Sequence, residues 1–150
     1  MELNVNDVTH MIASPPLTPL LKVLREELHV LSPKAGCEQG ACGTCTVLVD
    51  GRAVSSCCFL AADADGCEVL TIEGLAALPE FERLEQAFTS HSALQCGFCT
   101  SGMLLTVSSL LATGELTSEE EIKRSLNGNL CRCTGYRGIV EAVVDLAGVE

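Results

Sequence analysis

The chain has 150 residues and carries 9 Lys and Arg against 20 Asp and Glu, which gives a net charge of −11. This excess of negative charge argues against nucleic acid and against an anionic membrane surface as partners. No secretory leader follows Met1 and no apolar run is long enough to span a membrane, so we expect a cytoplasmic protein. In that reducing compartment its 10 cysteines are better explained as metal ligands than as disulfides.

Two hairpins and a last strand in the first half of the chain predict a small mixed sheet. Asn6-Asp7 connects the first pair of strands, and Asp50-Gly51, a stronger two-residue turn signal, connects the second pair. After Thr18, a predicted N-cap, and Pro19, apolar residues recur at helical spacing up to Leu28, so one helix is expected to pack on this sheet. The predicted strands are residues 3–5, 9–12, 46–49, 53–55 and 69–72.

Three cysteines and three glycines share one short loop ahead of the second hairpin. The cysteines run Cys37-x4-Cys42-x2-Cys45, which is the spacing of plant-type 2Fe–2S proteins. Three sulfurs in so tight a loop must curve around a small cluster, and we expect the glycines to adopt left-handed backbone angles that let amide N–H groups approach the sulfurs. Zinc is the alternative, although three ligands so close together would crowd a single ion. The glycines are Gly36, Gly40 and Gly43.

The fourth thiol of this set follows the second hairpin, where Cys57 and Cys58 are adjacent. Neighbouring residues of a strand point to opposite faces, so only one of the two is expected to point at the loop, and the spacing does not choose between them. The remaining thiol, like that of Cys67, is predicted to be a small apolar filler.

The second half of the chain predicts four helices with short connections, which would form a small antiparallel bundle. It follows a predicted linker, residues 76–79, that ends in Pro79. Thr117-Ser118 and the carboxylates after it predict a capped first turn, while Gly114 and Gly128 are predicted to end helices. The apolar positions of the four helices fall within residues 84–88, 103–111, 122–126 and 139–147.

A second set of cysteines, Cys96-x2-Cys99 and Cys131-x-Cys133, precedes the second and fourth of these helices. Four thiolates brought together across a helical hairpin can hold a metal centre that neither pair holds alone. We expect a 2Fe–2S cluster in which each sequence pair binds its own iron atom, in a buried site where two helix dipoles favour negative charge. Structural zinc is the main alternative, although zinc prefers a wider spacing than Cys131-x-Cys133.

The sequence contains no dinucleotide-binding glycine pattern, no P-loop, no nucleophile elbow and no H-E-x-x-H motif. A chain with two redox centres and no substrate chemistry of its own is expected to relay electrons. Its substrate and its electron acceptor would then bind to other subunits.

At the cysteine motifs the chain closely resembles the small iron–sulfur subunit of the molybdenum hydroxylases, the xanthine dehydrogenase and aldehyde oxidoreductase family. The resemblance implies an α+β protein with a β-grasp ferredoxin-like 2Fe–2S domain at residues 1–75 and a four-helix 2Fe–2S domain at residues 80–150. The matching segments are residues 36–51, 54–57, 71–75, 95–99 and 129–136.

Members of this family pass electrons from molybdenum through the helical-domain cluster and then the ferredoxin-like cluster to a flavin subunit or another acceptor. The resemblance therefore implies two 2Fe–2S clusters here, with a large molybdopterin-binding subunit and a medium FAD-binding subunit as partners. It also implies that Gln95 and Cys133 face the pterin, and that the fourth ligand of the first cluster is Cys57 rather than Cys58. The implied ligands are Cys37, Cys42, Cys45 and Cys57 for the first cluster and Cys96, Cys99, Cys131 and Cys133 for the second.

Two departures from the family pattern are visible. Ser101 stands where many members have proline, which we expect to be harmless in a first helical turn. The N-terminal strands are shorter than usual, which affects only the first hairpin. Two other functions remain as alternatives: a free-standing ferredoxin-like carrier, which would not need the helical half, and a zinc-stabilised adaptor, which would be colourless and redox-inactive.

Overall fold

The computed structural model describes residues 1–149, and its N-terminal half is built on a five-stranded mixed sheet. The strand order is β2-β1-β5-β3-β4, with β1 parallel to β5 and the other neighbours antiparallel. The predicted α+β fold, with the sheet first and the helices after it, is confirmed. The strands are β1 (Glu2–Val5), β2 (Val8–Met11), β3 (Thr46–Val49), β4 (Arg52–Ser55) and β5 (Glu68–Leu70).

Both predicted hairpin turns are present, and both require left-handed backbone angles at their two central residues. Asn6 and Asp7 have φ of 53° and 63°, and Asp50 and Gly51 have φ of 48° and 77°. Two consecutive positive φ angles give the turn whose twist matches that of the flanking strands, which explains why short Asn, Asp and Gly residues stand there.

The helix on the sheet is shorter and less regular than predicted. It consists of α1 (Leu20–Lys22) followed by a π-helical turn, Val23–Glu27. The prediction that Thr18 caps this helix is wrong, because Pro19 is still extended with ψ of 136° and no side chain caps the first turn. The backbone on both sides of Pro19 is instead hydrogen-bonded to the segment after β4. The Thr18 carbonyl accepts from the Ala61 N–H at 2.9 Å, and the Leu20 N–H donates to the Phe59 carbonyl at 2.7 Å.

The last predicted strand ends at Leu70, earlier than expected. The Thr71 N–H donates to Asn6 Oδ1 at 2.9 Å instead of continuing the ladder, and a short helix begins at Ile72. Four longer helices follow as predicted, and Ser118 and Gly114 cap them as expected, whereas Gly128 ends a 3-10 turn without a left-handed angle. The helices are α2 (Ile72–Leu75), α3 (Glu80–Ser90), α4 (Thr100–Thr113), α5 (Glu119–Ser125) and α6 (Arg137–Ala147).

Strand β3 joins two hydrophobic cores. Its residues Val47 and Val49 belong to the core between the sheet and α1, while Leu48 points to the opposite face and belongs to the core of the helices. This strand is buried on both faces because α4 packs across it. The two cysteine sets, which lie at the start of β3 and at the start of α4, are therefore brought to the same edge of the molecule. Among residues 1–149 no helix is long and apolar enough to cross a bilayer.

Candidate metal centres

The first cysteine loop directs backbone amides at a sulfur atom, as predicted. The N–H groups of Gln39 and Ala41 donate to Cys37 Sγ at 3.4 and 3.3 Å. These two donors, together with the neighbouring Cys42 thiol, lower the pKa of Cys37 to about 6, because they stabilise the thiolate. Cys37 is thus prepared to bind a metal as an anion.

Two of the three loop glycines have the predicted left-handed angle, and the third serves another purpose. Gly40 and Gly43 have φ of 72° and 71°, whereas Gly36 does not have a positive φ. A Cβ on Gly36 would instead lie 2.6 Å from Thr44 Oγ1, a hydroxyl that is 3.2 Å from Cys42 Sγ. Gly36 therefore makes room for a side chain that contacts a candidate ligand, and the prediction of a left-handed angle there was wrong.

The thiols after β4 lie in a turn rather than on a strand. Strand β4 ends at Ser55, and the Cys58 N–H closes the turn by donating to the Ser55 carbonyl at 3.0 Å. Cys57 faces the loop, since it lies near enough to Cys45 and to the Gly40 N–H for these groups to act on its pKa. Cys58 does not point to the opposite face as expected, because its Sγ is 3.6 Å from that of Cys57.

The second cysteine set comes together in space, but in pairs that differ from the predicted ones. Cys133 Sγ is 3.5 Å from Cys96 Sγ, and Cys99 and Cys131 are near enough that each thiol shifts the pKa of the other, Cys131 raising that of Cys99 and Cys99 lowering that of Cys131. Each sequence pair is predicted to bind its own iron atom, whereas each close pair of sulfurs here joins one thiol from each of the two chain segments. The predicted burial is also only half right, since Cys96 and Cys133 are exposed.

Each set contains thiols whose pKa is raised by burial and thiols whose pKa is lowered by nearby N–H donors. Burial raises the pKa of Cys45 and that of Cys99 to about 11, against the effect of nearby N–H donors. For Cys96 the pKa is lowered, chiefly by the Phe98 N–H. Since a metal binds the thiolate form, loading the inner thiols must release protons.

Two residues whose roles the sequence reasoning missed support Cys131. Thr134 Oγ1 donates to Cys131 Sγ at 3.1 Å, and the Tyr136 hydroxyl accepts from the Cys131 N–H at 2.8 Å and donates to the Asn129 carbonyl at 3.0 Å. Thr134 and Tyr136 belong to the segment that carries the family resemblance. The sequence feature that could have indicated such a contact is a threonine two or three residues after a cysteine. Thr44, two residues after Cys42, has the same placement and lies beside that thiol.

A backbone hydrogen bond connects the two cysteine sets directly. The Leu130 N–H donates to the Cys42 carbonyl at 2.8 Å. The segments can approach this closely only because glycines line the contact: a Cβ on Gly43 would lie 2.5 Å from the Gly128 carbonyl oxygen, and one on Gly102 would collide with the Gly43 carbonyl. Leu130, the residue before Cys131 of the second set, is therefore hydrogen-bonded to Cys42 of the first set.

Lys34 forms a second connection between the two halves of the chain, one that the sequence analysis did not predict. Its Nζ donates to the Ser32 carbonyl at 3.1 Å and to Ser101 Oγ at 3.4 Å, and lies 5.7 Å from the centroid of the Phe98 ring. The Ser101 hydroxyl also donates to the Ser32 carbonyl at 3.0 Å. The residue that departs from the family pattern is therefore part of the contact between the two halves, because proline could make neither bond.

The outer side of the second set is exposed and partly apolar. Gln95 Nε2 donates to the Cys133 carbonyl at 3.2 Å, so the two residues predicted to face a pterin are adjacent and exposed. Three exposed apolar side chains accompany them in the same segments, namely Leu94, Phe98 and Leu130, which are 43%, 46% and 52% exposed. We call this group of residues the outer face.

The arrangement of thiols fits a two-iron cluster in each set. A 2Fe–2S cluster needs two thiolates on each iron. The first set offers Cys37 with Cys42 and Cys45 with Cys57, and the second offers the two pairs described above. The donors are soft sulfurs supplied with N–H groups, which are the surroundings that iron–sulfur clusters require.

Comparisons with known proteins agree with this geometry. Residues 3–72 match a family described as a 2Fe-2S iron-sulfur cluster binding domain, and residues 71–144 match one described as a [2Fe-2S] binding domain. The chain is 45% identical over 147 residues to the xanthine dehydrogenase iron-sulfur-binding subunit of Escherichia coli O157:H7, covering 97% of this chain and 92% of the relative. It is 44% identical over 148 residues to the nicotine 6-hydroxylase small subunit of Paenarthrobacter nicotinovorans, covering 99% and 89%.

A solved structure extends the similarity to the fold. A chain of quinoline 2-oxidoreductase from Pseudomonas putida 86 superposes with a TM-score of 0.90 at 43% identity, covering 98% of this chain and 91% of that one. Aldehyde oxidoreductase from Desulfovibrio desulfuricans superposes with a TM-score of 0.88 at 37% identity, but this chain covers only 17% of that one. In that relative the same fold is one part of a much longer polypeptide.

Proposed function

Because this chain belongs to the family of iron–sulfur small subunits of the molybdenum hydroxylases, and is thus the electron-transfer subunit of an oxidoreductase, we propose how its own residues carry that role. The first 2Fe–2S cluster is bound by Cys37, Cys42, Cys45 and Cys57, and the second by Cys96, Cys99, Cys131 and Cys133. The grouping of these thiols in close pairs supports the assignment. The corresponding units are a sheet domain at residues 1–75 and a helical domain at residues 80–150.

Each cluster, when bound, accepts and passes on one electron at a time. The chain's contribution is to hold the two sets close to each other and to stabilise the negative charge. The Gln39 and Ala41 amides do this at Cys37, and the Phe98 amide does it at Cys96. The start of α4, at which Cys99 is the N-cap, adds the positive end of a helix dipole.

The observation that carries the proposal is the hydrogen bond from the Leu130 N–H to the Cys42 carbonyl. It joins a ligand of the first cluster to the residue before Cys131 without an intervening side chain. The contact gives the two centres a short bonded connection, and Gly43 and Gly102 leave the space that it needs. A free-standing carrier with one cluster would need none of this.

The outer face supports a large molybdopterin-binding partner. Gln95 and Cys133 stand there among exposed apolar side chains, and such a patch beside a candidate redox centre indicates a protein interface. We propose that electrons enter at this face and leave near the exposed loop of the first set. A medium FAD-binding subunit is the proposed acceptor, and the cytoplasm, which keeps the free thiols reduced, is the proposed location.

Iron analysis with electron paramagnetic resonance tests the proposal. The chain, purified anaerobically with any subunits that accompany it, should contain four irons and give two distinguishable signals on stepwise reduction. Molybdenum and flavin in the accompanying subunits would identify the partners. Two irons with one signal would mean that one cysteine set is not a cluster. Zinc without a signal would favour the adaptor, and a stable monomer with both signals would favour the free-standing carrier.

A further inference from the structure

The Cys57–Cys58 turn places a fifth thiol at the first cysteine set. Because residues 56–58 form a turn after β4, the side chains of Cys57 and Cys58 do not alternate between two faces as they would on a strand. Their sulfur atoms lie 3.6 Å apart. Cys58 is also exposed, which leaves its side chain room to change rotamer.

Both thiols of this turn lie beside the same glycine of the loop. The Gly40 N–H is near enough to the Cys57 thiol to act on its pKa, which it lowers against the larger, opposing effect of burial. The nearest atom to a Cβ built on Gly40 would be Cys58 Sγ, at 3.2 Å. Any side chain at position 40 would therefore displace Cys58, and glycine leaves the Cys58 sulfur lying against the loop. The turn and the loop together make room for two thiols at a place where the cluster needs one.

From this geometry we propose that Cys58 is a reserve ligand of the first cluster. When Cys57 is replaced, or when its sulfur leaves the iron, Cys58 rotates into its place and binds the iron that Cys57 shared with Cys45. In the exchange one iron–thiolate bond to Cys57 breaks and one to Cys58 forms, and the proton that Cys58 gives up goes to the departing Cys57 thiolate or, where Cys57 is replaced, to solvent. No electron is transferred, so the exchange needs neither an oxidant nor a reductant. The inference rests on the proposed first cluster and extends it.

Alanine substitutions separate the two cysteines, since alanine, unlike serine, cannot bind iron itself. In the full chain, Cys58→Ala should retain four irons and an unchanged first signal. Cys57→Ala should also retain four irons, but the first signal should shift because the ligand now comes from a different backbone position. The Cys57→Ala/Cys58→Ala double variant should fall to two irons and show only the second signal. That remaining signal also reports that the helical half is folded.

Three results would overturn the proposal. Two irons in Cys57→Ala would show that Cys58 cannot substitute. Four irons in the double variant would show that some other group supplies the ligand. Loss of the first signal in Cys58→Ala alone would show that Cys58 is the resting ligand rather than the reserve. A failure of the proposed function is distinguishable from all three, because the unsubstituted chain would then lack the first signal.

Discussion

At the scale of single residues, the cysteines of the two sets differ in their burial and in the groups that contact their sulfur atoms. A hydroxyl lies beside one thiol of each set, Thr44 beside Cys42 and Thr134 beside Cys131. Thr134 donates to the Cys131 sulfur and so stabilises its thiolate, whereas the Thr44 hydroxyl donates to the Lys34 carbonyl and can only accept from Cys42. By contrast, Cys67 packs partly buried against the core of the sheet and its thiol donates to the Asp63 carbonyl at 3.7 Å, which is consistent with its predicted role as a filler.

Removing one ligand should affect one cluster only. Cys42→Ala is expected to abolish the first signal and halve the iron content, because a two-iron cluster held by three thiolates is readily lost. The second signal should remain, since its four thiols lie in different segments. Cys67→Ala is the matched control and should leave both signals and the iron content unchanged. Loss of both signals in Cys42→Ala would show that the two sites do not assemble independently.

The close approach of the two cysteine sets depends on a glycine within a helix. Gly102→Ala should destabilise the protein by roughly 2 kcal/mol, because its new Cβ would collide with the Gly43 carbonyl, which belongs to the backbone and cannot rotate away. This cost exceeds the gain of about 1 kcal/mol from replacing a helical glycine by alanine. Thermal unfolding followed by circular dichroism measures the difference.

Gly128→Ala provides the control for that experiment. A Cβ on Gly128 would have nothing within 4 Å, and its φ is not positive, so alanine can adopt the same backbone conformation. The thermal midpoint of this variant should not fall. If Gly102→Ala is as stable as Gly128→Ala, the tight contact between α4 and the cysteine loop is not present in solution.

At the scale of secondary structure, the sequence was a good guide wherever local chemistry decides the conformation. The two hairpin turns, the cap at Ser118 and the helix end at Gly114 were all predicted correctly, because each depends on residues that are adjacent in sequence. The errors at Thr18 and Ile72 have a different origin. Contacts distant in sequence decide both: the segment after β4 holds the Thr18 backbone, and Asn6 ends β5.

Ser118 offers a test of how much one cap contributes to α5. Its hydroxyl accepts from the Glu121 N–H at 3.2 Å, and three carboxylates follow in the first turn. Ser118→Ala should cost about 1 kcal/mol of stability. Thr117→Ala, one residue earlier and exposed, should be within about 0.5 kcal/mol of the unsubstituted protein. Equal thermal midpoints for the two variants would contradict the assigned cap.

At the scale of the whole molecule, the sequence identified the thiols but not their arrangement. The spacing of the motifs suffices to propose two iron–sulfur sites, yet it says nothing about which sulfurs become neighbours. Cys96 approaches Cys133 because the segments that precede α4 and α6 lie side by side, and that depends on the contact between these two helices. The contact of Lys34 with Phe98 depends on the packing of α4 against β3, and neither contact has a local signature in the sequence.

The bonded connection between the two halves leads to the last prediction. Leu130→Pro removes the N–H that donates to the Cys42 carbonyl, whereas Leu130→Ala keeps this N–H. Both substitutions replace the exposed leucine side chain by a smaller one, so both remove apolar surface from the outer face. The residue before it, Asn129, has φ of −121° and ψ of 105°, a conformation that proline tolerates in its predecessor. Both variants should therefore fold and retain four irons.

Electron transfer between the clusters should be slower in Leu130→Pro than in Leu130→Ala. Rapid partial reduction, followed by freezing at intervals and electron paramagnetic resonance, would show how quickly the electron distributes between the two signals. Any effect on the outer face is common to both variants, so the difference between them isolates the hydrogen bond. Equal rates would mean that the clusters exchange electrons by another route, and the close contact would then serve only to fix the two halves in place.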